Sequence, residues 1–356
     1  MKENKERNYY IDFLKFIFSV VIVFYHGWLF TGVVGGGYFG RGYYAVDFYF
    51  IVTGLLFIKS VEKLIKKKPK EEIGVLDAKF VWNKIKPLLP NIIFIFIIGY
   101  IIIYHNNILN VRNLFSDRNV TEFLLAGALG EGMWINKSCW YLSVMILVLF
   151  ILFPIAYKYK KNYNYYIAPL LIIFTLGIIN HFEINTLDPT VYQDILINGF
   201  YKGIIFINLG VIAYELCNYL KKKKITKKQK IAFTIIETIL YIFLLANMHY
   251  AIAGSYLIAI LFFIAIAITF SNISYTSNWF HSEKFQKLGK FGFILFLANI
   301  PARNLVAESF HLSYRRMLLI YWLITIFLSI ISYVLSEVII KKWQERRVEK
   351  RRKLKC

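Results

Sequence analysis

The sequence predicts an all-α integral membrane protein, a bundle of about ten transmembrane helices with both termini on the cytoplasmic side. Three observations predict it. The 356 residues are 58% hydrophobic and only 18% charged, against about 45–50% apolar and about 25% charged in soluble domains. About ten stretches approach the roughly 20 mainly apolar residues that a spanning helix needs. The basic residues, 43 Lys and Arg against 21 Asp and Glu, gather between alternate stretches.

The stretches are 9–30, 43–60, 88–104, 140–157, 165–180, 203–220, 231–247, 254–271, 289–305 and 316–340. The first is too long for a signal peptide and has no small-residue cleavage site after it, so none is expected. The third opens beside Pro87 and Pro90, and it, the fifth and the ninth are short or punctuated by polar residues. The longest polar gap is about 35 residues, too short for a separate soluble domain. The expected organisation is one polytopic domain over 1–340 and a basic cytoplasmic tail over 341–356.

Charge sets the orientation. Of the 43 Lys and Arg, 34 fall in segments 1–8, 59–86, 158–161, 221–230, 284–290 and 341–355. These are the segments that share one side if the spans alternate, and the bias follows the positive-inside rule. A net charge of +22 on a soluble protein would suggest nucleic acid. In this arrangement it anchors topology against anionic membrane lipid, so lipids and not nucleic acid are the expected partners. Cys139, Cys217 and Cys356 have no metal or redox spacing, and neither a metal site nor a structural disulfide is expected.

Ionisable groups inside spans are costly and point to function. They are Asp12, Lys15, His26, Asp47, Glu215, Glu237, Arg303 and Glu337. Glu215 and Glu337 lie near cytoplasmic ends, where neighbouring lysines explain them, and Glu237 reads as a structural hydrogen-bonding group. Of six histidines only His26 lies within a span. It follows Lys15 by eleven residues, about 16 Å of rise with a net rotation of about 20°, so the two share a helix face. Asp47 enters the next span at a depth comparable to His26. A His–Asp pair near the outer side suits proton transfer: imidazole takes a proton from a hydroxyl and a carboxylate orients the ring.

Between the first two spans runs TGVVGGGYFGRGYY, residues 31–44. Glycine this dense implies unusual torsions or close backbone approach. Either a tight connection or a flexible loop bordering an acceptor site fits, with Arg41 as a contact to an acidic or sugar ligand in the second case.

The segments YIDFLKFIFSVVIVFYH and AVDFYFIVTGLLF resemble the opening of the acyltransferase-3 family of membrane acyltransferases. That family has Asp-x-x-Arg, a His eleven residues after the Arg, then Gly-Val-Asp-x-Phe-Phe-x-x-Ser-Gly. Asp12, His26, Asp47 and Gly54 match, Lys15 stands at the Arg position, and Ala45, Tyr49 and Thr53 are mild replacements. WYLSVMILVLFILFP at 140–154 is similar to the family's Trp-x-Leu span, with Met145 where many members have Glu. LGKFGFILFLANIP at 288–301 follows Leu-Gly-x-x-Ser-Tyr-x-x-Tyr-Leu-x-His-x-Pro, with Gly292, Phe293, Phe296 and Asn299 replacing Ser, Tyr, Tyr and His.

The resemblance implies acyl transfer, usually of acetyl, from cytoplasmic acetyl-CoA or another acyl-CoA to a hydroxyl of an extracytoplasmic or lipid-linked glycan. It places the protein in the bacterial cytoplasmic (inner) membrane, with no metal. His26 would be the base or a transient acyl carrier, with Asp47 beside it. Lys15 would bind donor or assist catalysis, and Lys84 and Lys86 would meet the phosphates of CoA. Arg41, Trp140, Asn299 and Arg303 would contact the acceptor. The alternatives are an inactive glycan-binding relative, which Met145 and Asn299 favour, and a glycan or lipid transporter. The paired discontinuous helices expected of a transporter are absent from the pattern.

Overall fold

A chain this apolar can satisfy its backbone inside lipid only as helices or as a closed barrel. The computed structural model describes residues 7–33, 37–67, 71–129, 135–186, 188–193 and 196–353, and it takes the helical solution. Helices occupy all ten predicted stretches. They are α1 (Tyr9–His26), α2 (Ala45–Lys67), α4 (Leu89–Ile103), α5 (Trp140–Lys158), α6 (Ala168–His181), α7 (Asn198–Lys221), α8 (Lys227–Tyr250), α9 (Ser255–Ser271), α10 (Glu283–Ser309) and α11 (Tyr314–Lys353). A further helix, α3 (Ile73–Ile85), precedes α4 and meets it at a 63° bend. Pro87 lies in that break, where its missing N–H and fixed φ end the helical ladder.

Caps mark several starts. The Asn8 side chain accepts from the Ile11 amide at 3.3 Å, and Thr226 and Gln229 form a reciprocal capping box at the head of α8, each satisfying otherwise orphaned amides.

Among the described residues seven helical segments are long and apolar enough to cross a membrane, or eight if the bent pair is one span. That is fewer than the ten predicted, for two physical reasons. Helix α9 is only 17 residues long. Helix α10 is 27 residues long but carries Glu283, Lys284, Lys287 and Lys290 in its opening turns and Arg303 further on. The protein is a multi-pass membrane protein. Phe174, Ile239, Leu323 and Phe327 are all more than half exposed, on faces that a bundle presents to lipid. The final helix continues without a break into the basic segment as far as Lys353, so the predicted tail from 341 extends α11. Cys356 and Lys68 lie outside the described residues, as do 34–36 of the glycine segment.

Packing fixes the relative directions. Gly289 and Gly292 of α10 sit against Asp12 and Phe16 of α1, so these helices run parallel. Tyr321 of α11 donates to the Val23 carbonyl at 2.9 Å and Lys290 pairs with Glu337 at 2.9 Å, so α11 runs antiparallel to both. Helices α2 and α7 run parallel, joined by Asp47–Lys202 near their starts and by Tyr214 donating to Glu62 at 2.6 Å near their ends. One end of the bundle therefore carries Arg7, Lys66, Lys160 and Lys290. The other carries His26, Asp47 and Arg303.

Two crossings depend on glycine. A Cβ on Gly54 would lie 1.9 Å from the Ile207 carbonyl oxygen, and one on Gly210 would lie 2.1 Å from that of Ile51. Small residues let membrane helices approach this closely, because lipid supplies little hydrophobic drive between them and close van der Waals contact must hold them.

Candidate active site

At the histidine end a cavity of about 900 Å³ opens, lined by residues of α1, α2, α5, α7, α8 and α10 and of the loops around them. The segment before α5 is pinned from below. Glu122 accepts from the amides of Ile135 (2.8 Å) and Asn136 (2.5 Å), and the Asn136 side chain donates to the Leu297 carbonyl at 2.9 Å. This brings Lys137, Ser138 and Trp140 to the cavity wall. Trp140 is held by the Phe50 ring at 5.8 Å and by Gly199, where any Cβ would strike the indole.

His26 is the last residue of α1 and lines the cavity. Asn299 lies beside its ring, and Arg303, one turn further along α10, acts on it electrostatically. Three polar atoms here are buried without a hydrogen-bond partner: His26 Nδ1, Asn299 Oδ1 and Arg303 Nε. Unsatisfied buried polar atoms are rare in native proteins, and these cluster where α1 meets α10.

Two site residues are placed differently from the sequence reading. Asp47 does not pair with His26; its carboxylate meets Lys202 at 2.7 Å, behind the wall, while Lys202 itself lines the cavity. Helix α7 starts at Asn198, ahead of the predicted 203, so Lys202 is carried into the bundle and becomes the nearer partner. Asn299 is fully buried and does not line the cavity. It donates instead to the Phe296 carbonyl and to Ser138 Oγ, the latter at 3.4 Å. Arg41 and Arg303 do line the cavity, Arg41 with one guanidinium N–H donated to the Ala253 carbonyl at 3.0 Å.

Lys15 lies on the same helix as His26 but outside the cavity. A layer at the level of Ser19 separates them. The Tyr49 hydroxyl bonds Ser19 Oγ at 2.6 Å and donates to the Lys15 carbonyl, and the rings of Tyr49, Tyr141 and Phe296 lie 6.0–6.4 Å apart. Below the layer Lys15 comes within electrostatic range of Lys84. Asp12, the acid that acts electrostatically on Lys15, is engaged by Arg7 at 2.7 Å. Lys84 reaches Ser60 Oγ at 3.3 Å, while Lys86 turns away, over the Trp343 ring at 5.7 Å.

Lys137, Lys202 and His249 line the cavity without having been singled out in the sequence. His249 Nδ1 accepts from the Phe39 amide at 3.2 Å, a contact between the glycine segment and the end of α8 that no local pattern announces. Of the intramembrane acids, Glu237 accepts from Thr269 and Thr276, the latter at 2.7 Å. Glu215 accepts from Asn164 (2.6 Å) and Tyr165 (3.0 Å). Both acids therefore serve structure. Among the described residues no three His, Cys, Asp or Glu groups gather as a metal site; Cys139 and Cys217 are free and buried.

A family model described as an acyltransferase domain, that of the acyltransferase-3 family, matches residues 8–340. No curated protein and no solved structure matches the chain.

Proposed function

The chain belongs to the acyltransferase-3 family, whose model covers nearly all of it, and on that premise we propose that it is a membrane O-acyltransferase. It moves an acyl group, acetyl in the simplest case, from cytoplasmic acyl-CoA to a hydroxyl of an extracytoplasmic or lipid-linked glycan. The reading includes ten membrane crossings in a bacterial cytoplasmic membrane, with the lysine-rich end cytoplasmic as the positive-inside rule requires.

The observation that carries it is a half-buried histidine facing a cavity: among the described residues its buried Nδ1 has no hydrogen-bond partner, and the residue lines a space of about 900 Å³. Neutral imidazole is a base suited to a hydroxyl. His26 takes the hydroxyl proton as the acceptor oxygen attacks the thioester carbonyl carbon; the C–S bond then breaks and the departing thiolate takes the proton from His26. Asn299 lies beside the ring on α10. Lys15 and Lys84, two basic groups within electrostatic range of each other, with the neighbouring Asp12 already paired to Arg7, suit a phosphate-bearing donor at the opposite end. The rise of about 16 Å from Lys15 to His26 is comparable to an extended pantetheine arm, which would have to pass the Tyr49–Tyr141–Phe296 layer.

The test is incubation of the purified protein with labelled acetyl-CoA and hydroxyl-bearing glycans. Label on the glycan supports the reading. Absence of both transfer and CoA binding would favour the binder or transporter.

A further inference from the structure

Acyl transfer needs a base for the hydroxyl proton and a donor or cation for the charge that builds on the carbonyl oxygen; it does not call for four cationic side chains around them. Yet the cavity is lined by Arg41, Lys137, Lys202 and Arg303, with Asp188 as the single acidic lining residue among the described residues. The pairings matter more than the tally. Lys202 is neutralised by Asp47 at 2.7 Å. Asp188 is exposed and its carboxylate accepts from Thr190 at 3.0 Å. Arg41 donates to a neutral carbonyl. Among the described residues Arg303 donates to the Asn304 side-chain oxygen, at 3.3 Å, and its buried Nε has no partner. Lys137 makes no ion pair among the described residues.

A half-buried guanidinium without a carboxylate carries a desolvation cost that an anion would offset. Its planar fork matches carboxylate or phosphate oxygens in a bidentate contact. Arg303 also lies one helical turn, about 5.4 Å of rise, beyond the asparagine that touches His26. A ligand anion held by Arg303 therefore leaves its neighbouring hydroxyls within reach of the imidazole.

We propose that the cavity selects an anionic acceptor: a hydroxyl-bearing molecule whose carboxylate or phosphate is held by Arg303 and Lys137, with Arg41 at the rim. The name acceptor rests on the acyltransferase reading; the anion site does not.

Binding measured without acyl-CoA tests the site apart from turnover. The purified chain, in nanodiscs of zwitterionic lipid, is titrated into fluorescent oligogalacturonate, its fully methyl-esterified neutral form, and a fluorescent glycerol-phosphate oligomer. At least one charged oligomer should bind about tenfold or more tightly than the ester, the scale of one charge-assisted hydrogen bond. Which charged oligomer binds tells carboxylate from phosphate. Arg303→Gln and Lys137→Gln should each remove most of the preference, and Arg303→Lys should restore part of it. Lys137 is exposed, so its variant reads the site even if Arg303→Gln fails to fold. Equal binding of charged and neutral oligomers, or a preference that survives Lys137→Gln and Arg303→Gln alike, overturns the proposal. Charge-selective binding without any acyl transfer would refute the acyltransferase reading and leave this one standing; transfer to ester and acid alike would do the reverse.

Discussion

The Asp47 carboxylate and the Lys202 ammonium meet at 2.7 Å inside the bundle, both almost fully buried. The contact joins the first turn of α2 to the first turns of α7 and stands directly behind the cavity. The aspartate that sequence places beside His26 therefore shapes the wall, by holding a lysine there, and leaves the imidazole to Asn299.

Removing one member of a buried pair strands the other charge, a loss of about 3–5 kcal/mol. Asp47→Asn and Lys202→Met should each lower thermal stability in detergent sharply, and the double variant should lose less than the two together. Fully additive losses would show that the contact contributes no coupling energy.

The α2–α7 crossing makes a second, independent prediction. Gly54→Ala and Gly210→Ala should each cost more than the ~1–3 kcal/mol of ordinary overpacking, because the new Cβ meets backbone carbonyls at 1.9 and 2.1 Å. Gly74→Ala, where nothing lies within 4 Å, should be neutral or slightly stabilising, since alanine favours the helix. Thermal melts of the three variants settle the comparison, and equal tolerance would contradict the packing.

Lys15 should act through its charge. Lys15→Met is expected to raise the KM for acyl-CoA by about tenfold, the scale of one charged hydrogen bond, while Lys15→Arg retains or improves donor use. If both variants match wild type in a labelled-donor titration, the lysine serves topology alone.

The layer of Tyr49, Tyr141 and Phe296 stands between the two ends of the proposed reaction path. Tyr49→Phe removes the hydroxyl that bonds Ser19 and the Lys15 carbonyl. It should change kcat for transfer by several-fold while leaving acyl-CoA binding at the basic end unaltered. A change confined to donor binding would place the hydroxyl with the lysines and not on the path.

The helices are legible in the sequence because lipid demands length and apolarity, and α1, α2 and α5 display both. Helix α10 shows the limit. Its opening lysines and glutamate depress its hydropathy, so the sequence shows only 289–305 of the helix Glu283–Ser309, and Gly289 and Gly292 against α1 show how it packs. His26 and Lys15 are legible because they share one helix and a fixed rise. Asp47–Lys202 is not, because it joins helices far apart in the chain and turns on α7 beginning at Asn198. His249 at the end of α8 and Lys137 in the segment before α5 reach the cavity through tertiary contacts, with the Phe39 amide in one case and Glu122 in the other.

The central claim is that His26 does the chemistry, and one comparison tests it most directly. Wild-type protein and His26→Ala, matched for melting temperature and for acyl-CoA binding, are assayed for transfer of labelled acetyl to a glycan, with His249→Ala alongside as the other cavity histidine. Wild type should transfer label, His26→Ala should fall by at least the ~10²-fold that a general base supplies, and His249→Ala should retain activity. Transfer that persists in His26→Ala, or that is lost only in His249→Ala, would contradict the account.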